Sequence, residues 1–157
     1  MAKNLILNCK EVYIGDPCHV IKDNKVYDEI CAGDEGTVVE GLGICVSTEG
    51  GDGYIEDDEG YEYGIESGQI AILNGDKCDL SVSPDATPFE RMWVDSLNII
   101  KVPSGEAYVM LDKDEDTIYI HVEDKASGDI LYHAYIRIDN DDEDNEDYDD
   151  GEEDDEE

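Results

Sequence analysis

Apolar residues recur mainly at every second position along this chain, in short runs separated by glycine-rich turns, the pattern of an antiparallel sheet protein. "EVYIGDPCHVI" reads as a strand, a Gly-Asp-Pro bend and a second extended piece. "GTVVEG", "GICVSTE", "YGIESGQIAIL", "EAYVML", "TIYIHVE" and "ILYHAYIRI" follow as further strands, and their spacing predicts a small antiparallel barrel or sandwich. A stretch at 88–97 departs from the alternation. In "ATPFERMWVDSL", Thr87 can cap a helix, Pro88 occupies a first helical position, and Glu90 completes a Thr-x-x-Glu capping box. Phe89, Met92, Trp93 and Leu97 then share one helical face, which predicts a helix covering one side of a sheet. A weaker helical turn is expected through "NKVYDEICAG", ending at Gly33.

Two turns and one hairpin sharpen the picture. If "TIYIHVE" and "ILYHAYIRI" pair about Ser127, His121 lies opposite His133 and Tyr119 opposite Tyr135, with Arg137 extending the same face. Ile118, Ile120, Tyr132 and Ile136 then point the other way. In "DKDEDTIYIHVE", Asp112, Asp114, Asp116 and Glu123 have calcium-loop spacing, but Thr117 replaces the required glycine and a strand follows. A solvated hairpin turn is the better reading.

Charge changes the functional picture more than the fold. The 157 residues carry 44 acidic and 10 basic side chains, a formal charge of -34. Residues 138–157, "IDNDDEDNEDYDDGEEDDEE", hold 15 of the acids and no base, so a disordered acidic tail is expected after a single β-rich domain at 1–137. The domain itself keeps 29 acids against 10 bases. Such a surface disfavours direct contact with nucleic acid or anionic membrane and favours a basic partner protein.

The acids also cluster. "GDGYIEDDEGYEYGIESG" at 51–68 contains no lysine or arginine. A hairpin over 49–66 bending near "EDDEG" would present Glu49, Asp52, Glu56, Asp57, Asp58, Glu59, Glu62 and Glu66, with Tyr54, Tyr61 and Tyr63 among them as rigid contact area. A fold of this length spans very roughly 37 Å. Duplex DNA of that length carries about 22 phosphates, close to the domain's surplus of 19 carboxylates.

The candidate chemistry is otherwise sparse. Cys9, Cys18, Cys31, Cys45 and Cys78 form no C-x-x-C pair, and no secretory or membrane-spanning segment is legible, so reduced thiols in a cytoplasmic protein are expected. Cys18 and His19 are adjacent, and on a strand their side chains would point to opposite faces. No hydrolase, metalloprotease, phosphate-loop or dinucleotide motif occurs, so no enzyme activity, cofactor or metal site is expected.

"VYIGDPC" at 12–18, "GDGY" at 51–54 and "YGIESGQI" at 63–70 resemble motifs of small bacterial and phage proteins that open on YIGDPCY and carry YGVDSG further on. His19 stands where that pattern has an aromatic residue. The resemblance covers about residues 11–73, supplies no catalytic residues, and implies a phage-associated origin, a setting in which compact acidic inhibitors of host DNA-binding machinery recur. The leading expectation is therefore a phage-type DNA mimic that blocks a host nucleic-acid-binding defence or transcription protein. The alternatives are a nucleotide-sequestering module built on Tyr119, His121, His133, Tyr135 and Arg137, and an acidic chaperone or assembly factor.

Overall fold

The computed structural model describes residues 2–21, 23–30, 36–48, 53–65, 68–79, 91, 94–114 and 116–138. Their elements run β1 (Ala2–Asn8), β2 (Glu11–Gly15), α1 (Asn24–Ile30), β3 (Thr37–Val39), β4 (Gly43–Ser47), β5 (Gly53–Glu56), β6 (Glu62–Ile65), β7 (Gln69–Asn74), β8 (Asn98–Lys101), β9 (Glu106–Lys113), β10 (Thr117–Asp124) and β11 (Ile130–Arg137). The protein is mainly β, as expected. A four-stranded sheet has the order β1-β9-β10-β11, a five-stranded sheet the order β3-β4-β7-β2-β8, and β5-β6 forms a separate hairpin. Every pairing is antiparallel.

The two larger sheets face each other as an open sandwich. Leu7, Val109, Leu111, Ile118, Ile120, Val122 and Ile136 from the four-stranded sheet meet Val12, Ile14, Ile44, Val46, Ile70 and Ile72 from the other, all at most 1% exposed. Burying each such side chain stabilises by about 1.5–3 kcal/mol before entropy is charged against it.

The five-stranded sheet is covered on its other side as well. Tyr13, Cys45, Ala71 and Leu73, the alternate residues of β2, β4 and β7, form a second cluster with Ile30 of α1, Leu42, Val20, Ile21 and Leu97. Continuous apolar runs such as "IAIL" in β7 are what two-sided burial demands. The strands also approach closely: a Cβ built on Gly43 would lie 2.1 Å from the Ile72 carbonyl oxygen, so only glycine fits there.

Several expectations are revised. The extended piece after "GDP" is a 3-10 turn, Pro17–His19. Asp16 accepts from the Cys18 N–H at 2.8 Å and Pro17 follows it, the two ingredients that start a helical turn. "YGIESGQIAIL" is not one strand but β6 and β7 in different sheets, with Gly68 at φ +77° just before β7. "AKNLILN" and "NIIK" are strands that the alternation alone did not single out. Of the expected covering helix at 88–97, only Arg91 and 94–97 are described: Arg91, Val94 and Asp95 are helical, and Leu97 enters the second cluster. Ile138 is 8% exposed and donates its N–H to the Asp116 carbonyl, so the folded part extends one residue beyond the expected boundary. Residues 139–157, the remainder of the expected tail, lie outside the described residues. By contrast, Asp114 and Asp116 sit in the turn between β9 and β10, where Asp114 N–H donates to Thr117 O, the hairpin turn expected there.

Candidate functional site

The β5-β6 hairpin is built by alternation. Tyr54 and Glu56 are exposed while Ile55 between them is half-buried; across the hairpin Glu62 is exposed and Tyr63 is fully buried. Glu56 lies directly opposite Glu62, and Ile55 opposite Tyr63. Gly60, at φ +88°, lets the turn close, with its N–H donating to Asp57 O and Asp57 N–H donating to Tyr61 O.

Asp57 holds this turn to both sheets. Its carboxylate is 5% exposed and accepts four hydrogen bonds. Oδ1 takes the N–H groups of Glu59 and Tyr61, both at 3.0 Å. Oδ2 takes the Tyr63 hydroxyl at 2.9 Å and the Tyr132 hydroxyl from β11. The Tyr63 oxygen in turn accepts from Asn98 Nδ2 of β8 at 3.2 Å. Tyr61 OH donates to Leu97 O at 2.7 Å, and Gly64 N–H to Ser96 Oγ at 3.0 Å. Burial, reinforced by Tyr132 and Asp57 against the Asn98 bond, pushes the Tyr63 phenol far above its ordinary range. Burial and the bond to Asp57 likewise raise Tyr132. Both phenols therefore stay protonated and keep donating to the carboxylate.

This corrects the list of surface candidates. Asp57 and Tyr63 face inward and cannot present themselves to a partner; Tyr61 is half-buried, its hydroxyl spent on Leu97. The exposed set is Tyr54, Glu56, Asp58, Glu59 and Glu62, and Glu49, Asp52 and Glu66 lie outside the described residues. Among the described residues no cation pairs with Glu56, Asp58, Glu59 or Glu62. Like charges placed opposite each other, as Glu56 and Glu62 are, cost stability.

The second candidate surface is the outer face of the four-stranded sheet. Tyr119 lies opposite Tyr135, His121 opposite His133, and Arg137 opposite Thr117, the register expected from the hairpin. A bulge at Val122/Glu123 then shifts the pairing toward the turn. The Tyr119 and Tyr135 rings sit 6.3 Å apart, tilted by 46°. The His121 and His133 Nδ1 atoms are 3.0 Å apart, and His121 Nε2 lies 3.0 Å from Glu123 Oε1. Glu123 Oε1 can accept from His121 Nε2, and one of the two facing Nδ1 atoms donates to the other. Arg137 lies 3.8 Å from an Asp116 oxygen.

These two surfaces are joined. Asp58 N–H donates to the Tyr135 carbonyl at 2.9 Å, and Tyr135 N–H donates to Asp58 Oδ1 at 2.8 Å. A bridge between Asp57 and Ile136 continues the sheet past its edge strand β11. Residues separated by 77 positions thus share one edge, which no local spacing could reveal. The buried role of Asp57 had a faint signal, since an aspartate that accepts from the N–H two residues on is a turn former, but nothing marked it among its acidic neighbours.

Other features lie elsewhere. A cleft of about 620 Å³ is lined by Lys10, Glu11, Tyr13, Asp76, Lys101 and Ser104 among others, and a smaller one adjoins Asp124 and Leu131. None of Tyr119, His121, His133, Tyr135 or Arg137 lines either cleft. Among the described residues Cys9, Cys18, Cys45 and Cys78 form no disulfide bond. Among the described residues no group of three or more His, Cys, Asp or Glu is placed to hold a metal ion, and no helix is long and apolar enough to cross a membrane. In comparisons with known proteins, no family model, no curated protein and no solved structure matches this chain.

Proposed function

We propose that the protein is a non-enzymatic, phage-type inhibitor that imitates the charge of DNA and occupies the basic groove of a host nucleic-acid-binding defence or transcription protein. The observation that carries this reading is the hairpin: four carboxylates, Glu56, Asp58, Glu59 and Glu62, are exposed with no cation paired to them among the described residues, on a turn fixed from beneath by Asp57. An array held in place before binding loses little entropy on association. Opposite charges steer the encounter and make it salt-sensitive. The resemblance over residues 11–73 adds the phage setting, and the acidic segment at 139–157 adds a second anionic element for a basic surface.

The nucleotide-sequestering alternative has one point in favour, the paired rings and histidines on β10 and β11. Against it, Arg137, the cation that would hold a nucleotide phosphate, lies beside Asp116. The test is capture of a purified DNA-binding enzyme. Binding should weaken steeply from low to high salt and compete with duplex DNA. Salt-independent binding, or binding that duplex does not displace, would defeat the proposal. A nucleotide panel that raises the melting temperature would favour the alternative instead.

A further inference from the structure

From the outer face of the four-stranded sheet, we infer that this surface and the hairpin form one composite docking site for an arginine-rich segment of the partner protein. This rests on the DNA-mimic reading and names what in the partner is recognised. The two hydrogen bonds between Asp58 and Tyr135 place a carboxylate-bearing edge beside an aromatic face. On that face Tyr135 is 42% exposed, and Tyr119 and Met110 are half-buried on the neighbouring strands. Tyr54, 49% exposed, stands on the hairpin side among Glu56, Asp58 and Glu62.

Charge complementarity selects the occupant. A second copy of a chain carrying -34 is repelled, whereas a cationic segment is attracted. The pairing of tyrosine rings with adjacent carboxylates further selects arginine over lysine. A guanidinium is planar and weakly hydrated, so it stacks on an aromatic ring while its edge N–H groups reach a carboxylate in bidentate fashion. A lysine ammonium gains the charge attraction but not the stacked geometry. The acidic segment at 139–157 holds a single tyrosine, Tyr148, among its carboxylates and should treat the two cations alike.

The experiment uses the full chain with octa-arginine and octalysine as probes, titrated at physiological ionic strength. The expected result is that octa-arginine binds about fivefold or more tightly than octalysine. That preference should vanish in a Tyr54→Leu/Tyr119→Leu/Tyr135→Leu variant, which keeps apolar area but removes the rings. A melting temperature for the variant within a few degrees of the parent confirms that the fold is kept. Equal binding of both peptides by the parent, or a preference that survives in the folded variant, overturns the inference while leaving the DNA-mimic reading standing. Binding of single-stranded oligothymidine in place of either peptide overturns both.

Discussion

The two sheets of the sandwich do different work, and the difference lies in how many faces each one buries. In the five-stranded sheet, β2, β4 and β7 are buried almost residue by residue, because the facing sheet packs one side and α1, Leu42 and Leu97 pack the other. In the four-stranded sheet, β9 and β10 alternate between buried and half-buried residues. The first sheet spends its side chains on stability. The second leaves every other position free of the core, and that is where Tyr119, His121, His133, Tyr135 and Arg137 stand. The acidic hairpin is tied to the edge of this one-sided sheet, so surface chemistry gathers where packing does not dictate the residue.

Mutations can break or sharpen this contrast. The largest effect is expected at the junction: Asp57→Ala strands two tyrosine hydroxyls and two backbone N–H groups and should destabilise by roughly 3 to 5 kcal/mol in urea unfolding. A cost below 1 kcal/mol would mean the hairpin is not anchored as described. Next comes Leu73→Ala, on the helix-covered side of β7, at about 2–5 kcal/mol. Met110→Ala, on the open face of β9, should cost under about 1 kcal/mol in the same assay, since surface positions usually do. Similar losses at the two positions would erase the distinction between the sheets.

Alkaline pH offers a third test. Burial raises the thiols of Cys9 to about 11 and Cys78 to about 12, from an ordinary 9.0. Both remain protonated in the folded chain while the unfolded chain ionises, so their contribution is fully present below pH 9 and is lost as pH rises from 9 through 11 to 12. The melting temperature should fall across that range. Cys78→Ala should reduce the slope, and an unchanged slope would locate the alkaline sensitivity in Tyr63 and Tyr132 instead. The smallest effect is a gain: Glu62→Gln removes the repulsion opposite Glu56 and should stabilise by a few tenths of a kcal/mol. The same change should weaken capture of a basic partner, and stability and binding moving in opposite directions would mark the pair as retained for binding.

The parts of this molecule legible in its sequence are those with a local signature. "TIYIHVEDKASGDILYHAYIRI" alternates around a turn, so its strands, their pairing and the opposition of His121 to His133 follow from period two and the turn position. The "EDDEG" bend and its exposed carboxylates follow in the same way. The splitting of "YGIESGQIAIL" did not, since an apolar run interrupted by the four residues Glu-Ser-Gly-Gln reads equally well as one strand or two. Asp57 and Tyr63 were misplaced because their chemical type matches the acidic and aromatic surface around them.

The sequence by itself determined a β-rich chain, its acidity, and which residues of β10 and β11 share a face, because side-chain alternation and charge are properties of neighbouring positions. Only the tertiary structure decided that Asp57 turns inward, that the hairpin and the aromatic face meet at Tyr135, and which sheet is covered twice. A hydrogen bond such as Tyr132 to Asp57 joins residues 75 positions apart, and its partners are chosen by how the sheets pack, which no short window of sequence contains.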